Sequence, residues 1–175
     1  MIISVEKAKE LIQIPENWTN EKLERKLKAI EQTIRRYTNN NFQDTAFRVT
    51  ADIVGGLFGA DRIAHFAIGD TVQISETWVN KGLYTIASCD DTTFTVEEDV
   101  LEEDAVLVTK IDYPEDVVDC ALNLLEWDIN HRDKIGVKSE TLSRHSVTYE
   151  DSASMFNGYP KGILNAVDLY KKVRF

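Results

Sequence analysis

The sequence predicts an α+β protein in which a small bundle of about four helices is interrupted by a small β-barrel. Residues 1–43 and 113–175 carry apolar side chains at helical spacing. Residues 44–112 instead carry short alternating stretches separated by turn residues, which is typical of strands. We therefore expect a helical domain, formed by 1–43 and 113–175, and a β-barrel insertion over 44–112.

The charge distribution marks the same division. The formal net charge of the chain is −10. Residues 44–112 contain 4 Lys/Arg and 14 Asp/Glu, whereas residues 1–43 contain 8 and 6 and residues 113–175 contain 8 and 10. The insertion is therefore acidic. Because contacts with phosphate groups require positive charge, we do not expect it to bind nucleic acid.

The stretch from Pro114 to Arg132 is the centre of the predicted helical domain. On a helical wheel its apolar side chains fill more than half of the circumference, a wider arc than a surface helix shows. The polar side chains form one narrow stripe: Asp116, Asp119, Asn123, Glu126 and Asn130. We expect neighbours to cover this helix on two sides. Asp128 falls inside the apolar arc, and an i,i+4 pair with Arg132 explains its position.

Two helices are predicted before the insertion. Ser4 is the expected N-cap of a short first helix, and Thr19 is the expected N-cap of a longer second one. The second helix should end at residues 38–41, and it carries an amphipathic stripe: Leu23, Leu27, Ile30, Ile34 and Tyr37. Its other faces carry basic residues interleaved with glutamates. This pattern indicates a solvated or subunit-facing surface rather than a DNA-binding one.

Within the insertion, alternation predicts five strands, at residues 47–53, 71–75, 83–87, 93–97 and 106–111. Five or six strands of this length indicate a small closed or nearly closed barrel. The phrase Ile68–Ile74, followed by Gly82–Ile86, resembles small SH3-like barrels. This resemblance covers the insertion only.

The segment Val54–Gly59 is rich in glycine, but it lacks the lysine and hydroxyl residue that end a phosphate-binding P-loop. We interpret it as a flexible connector between strands. Leu57 and Phe58 at its tip are candidates for contact with a partner.

No sequence pattern indicates catalysis, a metal site or a cofactor, so we expect no enzymatic activity. His65, His131 and His145 lack metal-type spacing from one another and from the cysteines. Cys89 and Cys120 fall in different predicted domains, which favours two thiols over a disulfide and suits a reducing cytoplasm. No apolar run approaches the roughly 20 residues that span a bilayer, so no membrane contact is expected.

The segment 137–158 is polar and contains one alternating patch, at Ser146, Val147, Thr148 and Tyr149. We interpret it as a long loop or an isolated strand whose pairing partner another subunit could provide. A last helix is expected to start at Tyr159-Pro160, with Ile163, Val167 and Tyr170 on one side.

The chain ends with a basic and aromatic tail: Tyr170, Lys171, Lys172, Val173, Arg174 and Phe175. Lysines at a helix C-terminus are favourable against the helix dipole, but the dipole does not require a terminal phenylalanine. We expect the tail to lie outside the helical core and to dock on a partner, with the aromatic group in a pocket and the cations on acidic groups.

Several of these pieces, taken in order, resemble one phage protein family, the head–tail connector (neck adaptor) proteins of long-tailed bacteriophages. The pieces are Ile34–Tyr37 leading to Asn41-Phe42, then Gly136–Glu140, Ser146–Tyr149, Tyr159-Pro160 and Leu169–Phe175. The resemblance covers residues 1–43 and 113–175, and the barrel insertion departs from it.

The resemblance implies a structural virion protein that is assembled in the bacterial host cytoplasm and located in the virion neck. Such proteins form a homo-oligomeric ring, commonly a dodecamer, below the portal. The ring extends the DNA channel without sequence-specific binding and receives the next neck, stopper or tail protein. The implied partners are therefore further copies of the chain, the portal and that next protein, with the 146–149 patch and the tail as contact residues. The alternative is a binding module in which the barrel recognises a peptide or protein.

Overall fold

The computed structural model describes residues 1–61, 63–131 and 154–173, together with the backbone of 139–142 and 145–148. It divides into two compact units. The barrel unit comprises residues 41–112 with Met1, and the helical unit comprises 2–40 with 113–175. The predicted insertion, 44–112, lies entirely within the barrel unit. In the described part of the chain there are four α-helices, together with a closed barrel of six antiparallel strands, so the class is α+β.

The first two helices begin at the predicted caps. Helix α1 spans Val5–Leu11, and the Ser4 hydroxyl accepts a hydrogen bond from the Lys7 amide at 3.2 Å. Helix α2 spans Asn20–Thr38, and the Thr19 hydroxyl accepts from the Lys22 amide at 3.2 Å. Each cap satisfies one of the amide groups that a helix start leaves without an intrahelical partner.

The apolar stripe of α2 is buried as predicted, with no exposed surface on four of its members: Leu23, Leu27, Ile30 and Ile34. The helix ends where Asn39 adopts a left-handed conformation with φ of 50°. Asparagine tolerates this conformation better than most residues. The helix therefore ends in the polar run after Thr38 because Asn39 can adopt a left-handed backbone there.

Helix α3 spans Glu115–His131, and the Pro114 carbonyl accepts hydrogen bonds from the amides of Val117 and Val118. All five residues of the predicted polar stripe are exposed. The opposite arc is fully covered at four positions: Val117, Ala121, Leu124 and Leu125. The prediction of a helix covered on two sides, with one thin face in solvent, is therefore confirmed.

The sequence predicts a long loop or an isolated strand around the patch at 146–149, whereas the structure pairs residues 146–148 with a strand of the same chain. Strand β7, Ser139–Leu142, pairs antiparallel with β8, His145–Thr148, so that Ser139 lies opposite Thr148. The partner strand is local, since only two residues separate β7 from β8 in the sequence. Tyr149, the last residue of the predicted patch, lies outside the described residues.

The C-terminal part of the helical unit is built from short elements. Strands β9, Met155–Phe156, and β10, Tyr159–Pro160, form a second two-stranded pair. Helix α4 spans Lys161–Leu164 and continues as a 3₁₀ helix over Asn165–Tyr170. Leu164 and Val167 are fully buried. The predicted helix start at Tyr159-Pro160 is therefore correct to within two residues, but most of that helix is 3₁₀.

The barrel contains five strands close to the predicted ranges and one that was not predicted. The strands are β1 Gln43–Val54, β2 Leu57–Gly59, β3 Thr71–Ser75, β4 Gly82–Cys89, β5 Thr93–Val96 and β6 Glu103–Ile111. Their order is β1-β2-β5-β4-β3-β6, and β6 pairs with β1 to close the barrel. Two register shifts in the β1–β6 ladder increase the local bend of this long pair.

The barrel encloses its own apolar core. The buried members are Ala51, Ile53, Phe58, Ile63, Phe66, Val72, Ile74, Ile86, Phe94, Val106 and Val108. The rings of Phe58 and Phe94 stack with their centroids 4.5 Å apart. Every strand and the β2–β3 loop contribute to this core. The barrel therefore has the separate hydrophobic core that an independent folding unit needs.

Of the helices that the structure describes, none is both long enough and apolar enough to cross a bilayer.

We predict that Leu125→Asp will unfold the helical unit, because it places a charge at a position with no exposed surface. The expected loss of stability is at least about 3 kcal/mol. Asp119→Ala on the exposed stripe is the matched control and should change stability by less than about 0.5 kcal/mol. Thermal melting followed by circular dichroism measures both, and similar melting curves would contradict the assigned faces of α3.

We also predict that the barrel is dispensable for the helical unit. Gln43 pairs with Ile111, and the Asp112 amide donates to the Phe42 carbonyl at 2.9 Å, so the strand ends are adjacent. A short Gly/Ser linker in place of residues 43–111 should leave a protein that retains helical circular dichroism and unfolds cooperatively. Non-cooperative melting would show that the helical unit needs the barrel to fold.

Candidate interaction surfaces

The C-terminal segment, residues 170–173, is docked on the helical unit rather than free of it. The Tyr170 hydroxyl donates to the Asp116 carboxylate at 2.8 and 3.0 Å. The Lys172 amide donates to the Thr38 carbonyl at 2.8 Å. The Asn39 side-chain amide donates to the carbonyl oxygens of Lys172 and Val173, at 3.2 and 3.4 Å. Residues 171–173 are exposed and so lie outside the helical core as expected, but their backbone is hydrogen-bonded to the helical unit. Arg174 and Phe175 lie outside the described residues.

Lys171 belongs to a cluster with Tyr37 and Asp168. Its ammonium group lies 3.9 Å from the centroid of the Tyr37 ring and 2.7 Å from an Asp168 oxygen. The Tyr37 hydroxyl donates to the same carboxylate at 2.7 Å. Hydrogen bonds from Lys171 and Tyr37 lower the pKa of Asp168, and the bond to Asp168 raises the pKa of Lys171. The cluster thus anchors Lys171 locally.

The same segment exposes two apolar side chains. Leu169 is 92% exposed and Val173 is 74% exposed. They flank the backbone that is hydrogen-bonded to the end of α2, so they are presented from an ordered segment. We expect the tail residues to contact a partner, and Val173 is accessible for such a contact. Leu169 is a further exposed candidate that was not among the predicted contact residues.

The glycine-rich segment connects two strands, as predicted, and the connection is a tight hairpin turn. Gly55 and Gly56 both have positive φ, 58° and 80°, and join Val54 to its partner Leu57. This two-residue turn matches the type I′ geometry, which requires positive φ at both positions. A Gly-Gly pair between two alternating stretches is a signal that could have predicted β2.

The two candidate contact residues at this hairpin differ in their exposure to solvent. Phe58 is fully buried in the barrel core, so the expectation that it contacts a partner is wrong. The side-chain period of two in a strand sends neighbours to opposite faces. Leu57 is accordingly 43% exposed and remains a candidate.

One end of the barrel carries a group of exposed apolar side chains, of which the sequence predicted only Leu57 as a contact residue. In this antiparallel barrel the loops β1–β2, β3–β4 and β5–β6 lie together at one end. They and the adjoining strand ends expose five apolar residues, which we call the barrel tip: Val54, Leu57, Trp78, Val79 and Leu101. Trp78 is 96% exposed. The apolar pair Trp78-Val79 between turn residues was the available signal.

Hydrogen bonds hold the two larger loops of the tip in place. Glu103 accepts from the Thr77 hydroxyl, the Trp78 amide and the Asn80 side chain, the last at 2.8 Å. Asn80, 2% exposed, also exchanges two bonds of 2.9 Å with the backbone of Leu101. The hydrogen bonds from Thr77, Trp78 and Asn80 lower the pKa of Glu103 below its usual value, more than burial raises it.

A groove lies on the side of the same barrel. It is an open cavity of about 440 Å³, lined by residues 46–50 of β1 and by four residues of the β2–β3 loop: Asp61, Ile63, His65 and Phe66. The rings of Phe47 and His65 are in contact, with centroids 4.4 Å apart and planes tilted by 43°. A groove with a partly apolar lining and a few polar groups suits a peptide segment.

Asp128, the acidic residue in the apolar arc of α3, is part of a buried network. Its side chain has no exposed surface, and it accepts hydrogen bonds from Lys26 at 3.3 Å and from the Tyr159 hydroxyl at 2.7 Å. These bonds connect α2, α3 and β10. The predicted partner, Arg132, lies outside the described residues, so that pairing stays a prediction.

A second buried carboxylate, Glu31, accepts a hydrogen bond of 2.6 Å from the Tyr113 hydroxyl. Burial, followed by the charge of Glu31, raises the pKa of Tyr113. The phenol therefore stays protonated and acts as a donor that ties the start of α3 to α2. Both buried carboxylates have structural partners.

The cysteines are free thiols, with Cys120 buried and Cys89 half-buried. Burial raises the pKa of Cys120 to about 11, which makes this thiol a poor nucleophile at neutral pH. Among the described residues, no group of three or more His, Cys, Asp or Glu side chains is arranged to hold a metal ion.

No protein-family model matches the chain, and a search of curated proteins finds no match either. The surfaces described above and the resemblance in the sequence are therefore the two indications of function.

We predict that Glu103→Gln will loosen the tip loops and lower the melting temperature by a few degrees at neutral pH. A depressed carboxylate pKa contributes stability that is present above the usual value of 4.5 and is lost as pH falls through the lower folded value. The difference between wild type and variant should therefore shrink as pH falls below 4.5. Asp99→Asn, in the neighbouring β5–β6 loop, is the matched control and should leave the melting temperature at neutral pH unchanged. A constant difference down to acid pH would contradict the role of the Glu103 charge.

Proposed function

We propose that this protein is a structural component of a bacteriophage virion, a head–tail connector (neck adaptor) that forms a ring below the portal. The ring extends the DNA channel without sequence-specific binding, and it mediates head completion and tail attachment. Its partners are other copies of the chain, twelve in the expected ring, the portal protein, and the next neck, stopper or tail protein. Assembly takes place in the host cytoplasm, and the final location is the virion neck.

The observation that supports this proposal is the joining of two sequence pieces that carry the resemblance. The end of α2 and the C-terminal segment are more than a hundred residues apart in the chain. They are connected by the backbone bond from Lys172 to Thr38 and by the two bonds from Asn39. Two of the sequence pieces that carry the family resemblance are therefore in contact within the helical unit.

The exposed side chains of that part suit a protein whose function is assembly. Leu169 and Val173 are large apolar groups left in solvent on an ordered segment, beside Lys171 and Lys172. An interface with apolar contacts and a charged rim needs these components. We assign the segment to contact with the portal or with a neighbouring subunit.

The finer description of the fold belongs to the same proposal. We propose that the helices form a small bundle and that the insertion is an SH3-like barrel. Two features support an insertion of this kind: the barrel is closed, and its first and last strands pair with each other. A domain whose chain ends are adjacent can be inserted into another domain with little disturbance.

The alternative function is a binding module, in which the barrel recognises a peptide or another protein. The observation that favours it is the groove beside Phe47 and His65. A chain that stays monomeric and binds a partner through this groove would support the alternative over the connector.

We predict that the purified protein assembles into rings. Sedimentation velocity over a range of concentrations should show a species of many subunits, and negative-stain images of the protein mixed with the portal of its own phage should show a second ring below the portal. A protein that remains monomeric at every concentration and does not bind the portal would contradict the proposal.

A further inference from the structure

The barrel tip has the chemistry of a docking surface. Trp78 is almost fully exposed, and Val79 and Leu101 beside it are 57% and 63% exposed. Tryptophan contributes to barrel cores and to interfaces, and a solvent-exposed one adds little to the stability of the barrel that carries it. The exposure of three large apolar side chains at one end therefore requires an explanation outside the barrel.

The tip is prepared for binding. Asn80 bonds Leu101 from both of its side-chain atoms, and Glu103 holds the Trp78 backbone. The two loops are thus fixed to each other before any partner arrives. Preorganisation lowers the entropy cost of association, so the loops can present Trp78 as an anchor.

The rim of the tip is acidic. The same loops contribute five carboxylates and strand β6 adds a sixth near its start: Glu76, Glu97, Glu98, Asp99, Glu102 and Asp104. Lys81 is the one cation in the three loops. Two tips would repel each other, as would a tip and an anionic lipid surface, so the occupant must offer positive charge around an apolar centre.

A surface of that description is present on the same chain. We call it the C-terminal patch: Leu169 and Val173 as the apolar centre, with Lys171 and Lys172 beside them. Residues 170–173 are bonded to the end of α2, whose last turn also carries the exposed Arg36. Two carboxylates belong to this neighbourhood: Asp168 pairs with Lys171, and Asp116 accepts the Tyr170 hydroxyl, so Lys172 is the lysine that keeps its charge available to a partner.

We propose that the barrel tip of one copy docks on the C-terminal patch of a second copy. The inference rests on the proposed ring and identifies one of its interfaces. The contact joins two different surfaces, so each copy can use its tip on one neighbour and its patch on the other. Such heterologous contacts generate closed rings or open filaments, depending on the rotation between copies.

The test uses two full-length variants, each with one surface removed. Trp78→Ser disables the tip, and the double substitution Leu169→Ser/Val173→Ser disables the patch. Each variant should associate at least about tenfold more weakly than wild type in sedimentation velocity. An equimolar mixture of the two should form a dimer, because the intact tip of one variant fits the intact patch of the other, and assembly should stop there.

Two matched controls keep the test specific. Ile68→Ser removes an apolar side chain that is 71% exposed in the β2–β3 loop, which starts and ends at the other end of the barrel. Leu11→Ser removes one that is 53% exposed in α1. Both should assemble like wild type, and all variants should keep the wild-type melting temperature because every substituted side chain is exposed.

The outcomes separate this contact from the proposed function. Rings that form equally well from Trp78→Ser would overturn the tip contact and leave the connector proposal intact. Filaments or dimers that require Trp78 but never form rings or bind the portal would support the contact and overturn the connector. Dimers of the patch variant alone would indicate tip-to-tip pairing and overturn the inference. Trp78-dependent flotation with neutral phosphatidylcholine vesicles would overturn it in favour of a membrane.

Discussion

Helix α3 has more apolar surface than the segments next to it in the chain can cover. The architecture of the helical unit follows from the need to bury this surface. Helix α2 packs against it from before the barrel, and α4 and the 3₁₀ helix pack against it from after. Side chains such as Leu124 and Leu125 gain roughly 1.5–3 kcal/mol each from full burial. Segments from both ends of the chain must therefore assemble around α3. The barrel between them can be accommodated because its first and last strands pair.

Polar interactions at the edges of this core determine how the covering segments are placed. Asp128 would be costly to bury without partners, and Lys26 and Tyr159 supply them from two different elements. Asn39 both terminates α2 and bonds the C-terminal segment. A residue in the left-handed conformation at a helix end thus also fixes the last described residues of the chain. Specific placement, more than net stability, is the contribution of these groups.

The barrel shows a different division between core and surface. Closure uses every inward side chain of the strands for the core, so Phe58 is unavailable to a partner even though it lies one residue from the exposed Leu57. The loops at the tip do not have to fill the core with their side chains. Their apolar residues are exposed, and Asn80 and Glu103 stabilise the backbone beneath them. Binding capacity therefore resides in the loops, whereas the strands supply rigidity.

Local patterns in the sequence determined the caps at Ser4 and Thr19, the buried stripe of α2, the thin polar face of α3 and five of the barrel strands. These features depend on residues within a few positions of one another, so periodicity and cap chemistry are sufficient to predict them. The short strand β2 was missed because three residues carry too little alternation, although the Gly-Gly turn before it was a usable signal.

Contacts between segments, most of them far apart in the chain, were decided only by the tertiary structure. Whether the tail is free or docked depends on Thr38 and Asn39, more than 130 residues away from it, and nothing in the tail itself reveals them. The pairing of β8 with β7 likewise depends on a partner strand that polar composition concealed. The barrel tip arises because antiparallel closure gathers three separate loops at one end. Each of these features depends on which segments of the chain come into contact. A pattern along the sequence does not show how close two segments are in the folded protein.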